Sequence, residues 1–394
     1  MSAPEFLASL AQVGPIMRDA VVSGNWKVLA GMLGPGYRGF VQHIGKRASS
    51  TKMPSSHAVH FDWEYRRDNA EMSRLYENAK KSQWNCSVDI DWNRDIDPFD
   101  PNVMLLPEEV FPVQDLPTYQ KLNTKEKAIQ RHALLAWLLS QFLHGEQGAL
   151  YAAAQVTEAV PWLDAKLYGS TQVVDEGRHV ETFYHYLENK LEKRYEINDN
   201  LYVVIDMLMT DSRWDMKFLG MQIMIEGLAL GAFSTIRNLT QEPMLKDFLK
   251  YIITDEARHV HFGVLSLKDY IAELSDAERR EREDWTFEVS LFLRNRFLAH
   301  EFYDEFYAHA ISRATWDKLV LESQFMDIFR KTMFKRIIPN LKRIGLLSDR
   351  IRPYYNELGL LAYENHKNAT QLSAKELLDE DEVLIGSEMG AHHH

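Results

Sequence analysis

The chain has 394 residues, 45% apolar and 11% aromatic, enough to bury a large core, so extensive disorder is not expected. A formal net charge of −12 argues against a nucleic-acid partner, which needs a broad basic footprint. A single cysteine, Cys86, excludes an internal disulfide framework, and with no run of 18 apolar residues and no signal-like N-terminus the expected setting is cytoplasmic, with no membrane partner.

From the N-terminus, residues 1–45 suggest short helices, and the polar KRASSTKMPSS at 46–56 suggests a loop. Gly34-Pro35-Gly36-Tyr37-Arg38-Gly39 matches the GxGxxG spacing, but the preceding WKVLAGML lacks strand character and no βαβ pattern surrounds it. Nucleotide binding is not expected there. Pro98, Pro101, Pro107, Pro112 and Pro117 forbid a continuous helix over 92–123 and predict an irregular arm. At Asn123 the pattern changes: Glu126, three residues on, predicts a capping box, and helical stretches rich in Ala, Leu, Met and Gln follow to about 275 without strand-like alternation. ALLAWLLSQFLHGEQGALYAAAQV at 133–156 has no polar face and belongs inside a bundle.

After 276 come charged helical segments. Residues 330–352 carry eight basic residues against one acidic, read as a solvated helix face, with an acidic electron carrier or an anionic substrate handle as the competing reading. The acidic stretch at 374–382 reads as a solvated, mobile tail, and His392, His393 and His394 are left out of any site. The division is into an N-terminal arm (1–124), a helical core (125–275) and a C-terminal extension (276–394), forming one globular unit.

Inside the core, VVDEGRHVE at 173–181 recurs as ITDEARHVH at 253–261. Glu146 precedes Glu176 by 30 residues, and Glu226 precedes Glu256 by 30, with Pro161 and Gln241 at the two midpoints. A helical hairpin turning at its midpoint returns the second carboxylate to the height of the first, about 22 Å from the bend. Glu176 and His179 share a helix face, as do Glu256 and His259. Two such hairpins would converge four glutamates and two histidines on one buried point. Four buried carboxylates repel one another unless neutralised, whereas two divalent cations cancel their charge and leave neutral imidazoles as further donors. Oxygen-rich ligation with one histidine per metal favours iron or manganese over zinc. The predicted metal ligands are therefore Glu146, Glu176, His179, Glu226, Glu256 and His259.

With these residues, 125–275 resembles the ferritin-like, ribonucleotide-reductase-like di-iron carboxylate oxygenases and oxidases, in which a Glu from each of two helices joins an ExxH from each of the other two. WNCSVDIDW at 84–92 also resembles a segment that precedes this core in some oxygenase branches. The resemblance implies an all-α fold, a ferritin-like four-helix bundle with helical N- and C-terminal extensions. It implies two iron ions, with manganese or a mixed Fe/Mn pair as the alternatives. It implies a dioxygen-activating oxygenase or oxidase acting on an apolar or aromatic small molecule, including one carried as a CoA or carrier-protein thioester. By the same resemblance Asp175 and Asp255 each accept a hydrogen bond from the histidine of the opposite half, with Arg178 and Arg258 beside them; ordinary intrahelical ion pairs are the competing reading. His185 and His261 receive no ligand role, and no catalytic residue is assigned beyond the ligands.

Small residues flank the upstream glutamates: Gly145, Gly148, Ala149 and Ala152 in one half, Gly227, Ala229, Gly231 and Ala232 in the other. Glycine within a helix costs about 1 kcal/mol relative to alanine, so either a cavity beside the metals or close helix packing retains it. Phe142, Ala149, Leu150, Ala229, Leu230 and Phe233 are the expected substrate contacts. Among family branches, Phe183 stands where radical subunits of ribonucleotide reductases usually carry tyrosine. Ile252 stands where arylamine N-oxygenases add a histidine, and Ala229 and Leu230 where multicomponent hydroxylases and acyl desaturases tend to have threonine. These departures disfavour those branches, and the equal spacing is most similar to epoxidases of aromatic acyl-CoA thioesters. Electrons are expected from a separate reductase or ferredoxin, and a homodimer is compatible. A ferroxidase or dimanganese catalase, or a metal-stabilised binding or scaffold protein, are the alternatives.

Overall fold

The computed structural model describes residues 22–378, apart from residues 48, 101–102, 109–110 and 374. The expectations for residues 1–21, for the tail beyond 378 and for the terminal histidines lie outside the described residues. Among the described residues all regular structure is helical.

Helix α1 (Trp26–Gly36) continues into a π turn (Tyr37–Val41), so the GxGxxG match lies within helix and forms no phosphate-binding loop. Helix α2 (Ala70–Lys81) is followed by extended and turn structure that carries the proline-rich arm. The predicted change at Asn123 is present. Asn123 Oδ1 accepts from the Glu126 amide at 3.0 Å and Glu126 Oε2 accepts from the Asn123 amide at 2.8 Å, satisfying two amides that a helix start leaves without partners.

From this cap α3 (Thr124–Ala159) runs for 36 residues, and α4 (Leu163–Tyr186) returns alongside it after Val160-Pro161-Trp162. Proline at 161 lacks the amide needed to extend the helix, which places the bend at the expected midpoint. After α5 (Asp199–Thr210), the second hairpin consists of α6 (Trp214–Leu239) and α7 (Pro243–Glu273). Here Pro243 occupies the first helical position, and the Glu242 carboxylate caps the amides of Met244 and Leu245 at 2.8 and 2.7 Å. The paired helices α3–α4 and α6–α7 pack most closely, and α4 also meets α7, closing a four-helix bundle of the ferritin-like kind.

Helix α6 has the length and apolarity of a membrane span, yet its most apolar window is 100% buried, covered by α7 and by α11 (Gln324–Ile344). Immediately before Glu226 its backbone winds as a π-helix over Leu219–Ile225. Between α7 and α11 lie α8 (Asp276–Asn295), α9 (His300–Phe306) and α10 (Arg313–Glu322).

Two features differ from the sequence reading. The basic stretch 330–352 is not a solvated face: Met333, Phe334, Ile337, Ile338 and Leu341 are buried against α6, and Lys335 and Arg336 are buried with them. The apolar residues recur at i, i+4 and draw the intervening cations inward, with Lys342 and Arg343 left exposed. Charged α8 is likewise buried along Glu281–Asp284, its charges paired by Arg282 to Asp215 at 2.9 Å and by Arg350 to Glu283 and Asp284 at 2.7 Å each.

Candidate metal centre and adjoining cavity

Each of the six predicted ligands is buried: Glu146 from α3, Glu176 and His179 from α4, Glu226 from α6, Glu256 and His259 from α7. Ligand atoms of Glu146, Glu176, His179 and Glu256 lie within 4.8 Å of one another, as do those of Glu176, Glu226 and His259. His179 Nδ1 stands 3.2 Å from Glu146 Oε2, 3.3 Å from Glu176 Oε2 and 3.2 Å from Glu256 Oε1. His259 Nδ1 stands 3.1 Å from Glu176 Oε1 and 3.7 Å from Glu256 Oε2, without the alignment of a hydrogen bond. Glu176 and Glu256 thus turn one oxygen toward each histidine, while Glu146 stands beside His179 and Glu226 groups with Glu176 and His259.

Several of these buried atoms have no hydrogen-bond partner: Glu176 Oε2, Glu226 Oε2, both oxygens of Glu256, and His259 Nδ1. Buried polar atoms are rarely left so, and a group of acceptors aimed at one another fits a pair of cations. Burial and repulsion from Glu256 push Glu146 well above the usual carboxylate range, and burial and Glu176 do the same to Glu226. Burial also acts to raise Glu176, but the His259 and His179 charges beside it hold it well below that range. For His179 and His259 burial favours the neutral ring, and it is outweighed by Asp255 and Glu146 in the first and by the Glu176 charge in the second, so both rise well above the ordinary value. Protons and cations therefore compete for the same atoms.

Outside the cluster, His179 Nε2 donates to Asp255 Oδ2 and His259 Nε2 to Asp175 Oδ2, each at 3.2 Å across the two hairpins. With the proton held on Nε2, each ring keeps its Nδ1 lone pair facing inward. Arg178 pairs with Asp175 and reaches Asp255 at 3.4 Å; Arg258 pairs with Asp255 and reaches Asp175 at 3.4 Å. His185 packs against Trp92 at 5.3 Å and takes no part in the cluster.

Two polar partners of this layer went unassigned in the sequence. Trp84 Nε1 donates to Asp255 Oδ2 at 2.7 Å, and the Arg178 guanidinium lies 5.0 Å over its ring. Trp84 was visible only as the first residue of WNCSVDIDW. Gln172 Nε2 donates to Glu226 Oε1 at 2.7 Å and to Glu176 Oε1 at 3.1 Å; its place four residues before Glu176 was the available signal.

A cavity of about 10 Å³, room for one water-sized molecule, adjoins Glu146, Glu226 and Glu256. Phe142, Gly145 and Ala149 wall it on α3, and Ile225, Ala229 and Phe233 on α6. Leu150 and Leu230, expected there, are not among its walls: each is one residue past a lining alanine, and about 100° of helical rotation turns it away. Both readings of the small residues apply, at different positions. A Cβ on Gly145 would meet nothing within 4 Å, whereas one on Gly231 would lie 2.8 Å from Met333 Cα and the Thr332 carbonyl, and one on Gly148 would lie 2.9 Å from Ile205 Cδ1. Phe183 sits among the rings of Phe142, Phe233 and Phe248, and Ile252 is fully buried one turn before Glu256, offering no donor atom.

Arg296, from the turn after α8, also lines the cavity and is 2% exposed. Burial lowers its pKa to about 9, against the charge of Glu146, which raises it. It stands outside the repeat, and nothing in its local sequence marks it.

A family model described as P-aminobenzoate N-oxygenase AurF matches residues 66–333. No curated protein matches the chain. Among solved structures, an R2-like ligand-binding oxidase with aerobically reconstituted Mn/Fe cofactor (long soak) is 19% identical, with a TM-score of 0.45 over 73% of this chain and 94% of that one. An R2-like ligand-binding oxidase with aerobically reconstituted metal cofactor after photoconversion is also 19% identical, with a TM-score of 0.42 over 69% and 94%.

Proposed function

Because the chain belongs to the AurF family of p-aminobenzoate N-oxygenases, and is thereby an oxidoreductase of the di-metal monooxygenase/oxidase class, we propose that it oxidises an aromatic or apolar small molecule with dioxygen. The ligands in this reading are Glu146, Glu176, His179, Glu226, Glu256 and His259. The observation that carries it is the set of buried, unpartnered carboxylate oxygens turned toward both histidines.

Two iron ions, or one manganese and one iron, supply the electrons for dioxygen reduction when bound. The chain's own residues do the rest. Glu146, Glu176, His179 and Glu256 would hold one ion, and Glu176, Glu226 and His259 the other. Asp255 and Asp175 keep the protons on the Nε2 atoms of the histidines. Phe142, Ile225 and Phe233 line the cavity beside the cluster and would limit bulk water there. Restoring the reduced state requires an electron donor, for which a separate reductase or ferredoxin is the proposed source.

N-oxygenation of an arylamine is the first reaction to test. The sequence reading set that branch aside because Ile252 replaces a histidine; the family match over 66–333 corrects it. The Ile252 difference then belongs to metal ligation within the family, with one imidazole fewer available here. The small size of the cavity is the observation that favours the second reading, a ferroxidase or catalase activity with no organic substrate.

Anaerobic protein loaded with ferrous iron and mixed with dioxygen should give a transient optical spectrum, and labelled oxygen should enter p-aminobenzoate or another aromatic amine, read by mass spectrometry. Absence of any oxidised state after loading would refute the proposal. Repeated iron oxidation with no organic product across a panel of amines and aromatic thioesters would establish the second reading.

A further inference from the structure

Counted from the ligand glutamates, the two halves of the repeat differ one helical turn upstream. Residue 172 stands four before Glu176 as residue 252 stands four before Glu256, and residue 222 stands four before Glu226 as residue 142 stands four before Glu146. One pair is Gln172 and Gln222, while the corresponding pair is Ile252 and Phe142. The two glutamines meet inside the bundle. Gln222 Nε2 donates to Gln172 Oε1 at 3.4 Å, and Gln172 Nε2 donates in turn to Glu226 Oε1 at 2.7 Å and to Glu176 Oε1 at 3.1 Å. Carboxylates only accept, so they fix which end of the Gln172 amide faces them and leave its carbonyl to receive Gln222.

This ladder is costly to place, because both amides are fully buried and have given up their water. The backbone is shaped to admit it. Gln222 lies within the π stretch Leu219–Ile225, and a Cβ on Gly263 of α7 would lie 2.6 Å from Gln222 Cβ, so the bare glycine leaves the room that Gln222 occupies. At the corresponding place in the other half, Ile252 has no donor to offer, and neither oxygen of Glu256 has a hydrogen-bond partner. The two groups of ligand atoms are therefore unequal. Glu146, Glu176, His179 and Glu256 offer four ligand atoms, whereas Glu176, Glu226 and His259 offer three. Within the smaller group Gln172 occupies Glu226 Oε1, leaving Oε2 as the oxygen without a partner.

We propose that Gln172, backed by Gln222, positions Glu226 as a one-oxygen ligand of the three-ligand position, and that this position fills second, with an affinity that depends on the ladder. A carboxylate free to turn loses that freedom when it binds a cation; one already held through Oε1 keeps Oε2 aimed and loses less. The four-ligand position does not share this dependence. It takes Glu176 through Oε2, which stands 3.3 Å from His179 Nδ1 and which Gln172 does not touch. The number of ligands sets the order of filling, and the ladder decides whether the second ion stays. The fraction of protein able to react is then the fraction whose second position is occupied. This inference rests on the cluster being the metal centre of the proposed oxygenase.

Titration of metal-free protein with manganous ion, followed by calorimetry and by electron paramagnetic resonance, tests it. Wild-type protein should take up two ions per chain in two resolved steps, ending in the spectrum of a coupled pair. Gln172→Leu should weaken the second step by about tenfold and leave the first within about twofold, so that a second equivalent gives the spectrum of uncoupled manganese. Gln222→Leu touches no ligand and should produce the same selective loss to a smaller degree, which keeps the test open if Gln172→Leu fails to fold. Equal affinity of the two positions in wild-type protein, or an unchanged second step in both variants, would overturn the proposal. Equal losses in both steps would overturn it too, by showing that the ladder only supports the bundle. If the two steps behave as expected and iron-loaded protein leaves dioxygen unreduced, the oxygenase reading falls alone. If dioxygen is reduced and the two ions bind with equal affinity, the positioning role falls alone; no uptake of either metal ends both.

Discussion

At the scale of single residues, the centre is asymmetric despite its duplicated sequence. Asp255 accepts from His179, Arg258, Arg178 and Trp84, whereas Asp175 has no tryptophan partner. Asp255→Ala takes from buried Arg258 its nearest carboxylate and from the Trp84 indole its acceptor, and should cost about 3–5 kcal/mol in denaturant unfolding of the metal-loaded protein. The Asp175→Ala cost should be smaller. Asp175→Asn weakens the orientation of His259 and should lower metal affinity roughly 10- to 100-fold, measured by chelator competition. The glutamates and histidines were legible because the same spacing occurs twice. Trp84 and Arg296 were not, because their contacts join positions far apart in the chain, 171 residues in the case of Trp84 and Asp255, and no local pattern encodes such a meeting.

At the scale of elements, chain reversals and helix starts were readable where one residue type has one physical role. Asn123 and Glu126 form the expected cap, Pro161 stands at the first reversal, and Pro243 opens the helix after the second. Asn123→Ala should cost about 1 kcal/mol in thermal unfolding. Helix α11 was misread because counting its charges obscures its apolar rows, and those rows decide which face is buried. Its approach to α6 is set at Gly231, where an added methyl meets backbone that cannot rotate away. Gly231→Ala should destabilise by about 1–3 kcal/mol. Gly227→Ala, whose Cβ would meet only Ile337 Cγ1 at 3.5 Å, should be neutral or slightly stabilising through helix propensity. Melting curves of the two variants separate close packing from helix propensity on the same helix.

At the scale of the whole molecule, the buried cluster links folding to metal and to pH. In metal-free protein Glu146, Glu226, His179 and His259 are raised above the values of an unfolded chain, about 4.3 for Glu and 6.5 for His. Groups raised on folding contribute stability that is present below the unfolded values and lost as pH rises through the folded ones. Glu176 and Asp255 are depressed, so their contribution is intact above the unfolded carboxylate range and is lost only in acid. Metal-free protein should therefore melt at falling temperature as pH is raised from about 6 to 9. Metal-loaded protein should gain stability from about pH 5 to 7, as protons cease to compete for the ligands. Scanning calorimetry of both forms should give curves of opposite slope. The bundle was legible in the sequence, but the way α8 and α11 close over it was not, since charged helices are buried only when distant elements supply their counter-charges.

The π-helical stretch Leu219–Ile225 ends at the residue before Glu226. Because a π turn takes up more residues than an α turn over the same arc, it works as slack in the chain. The duplication is in phase from each glutamate onward, and this slack separates that shared phase from whatever sequence lies upstream of it. Insertions and deletions before Leu219 can then be absorbed without rotating Glu226 out of the cluster. Helix α3, α-helical from Thr124 to Ala159, has no such reserve: a single residue gained or lost there turns Glu146 about 100° from its place. The two halves therefore differ in how freely their upstream sequences can diverge in length, even though their downstream halves must keep count.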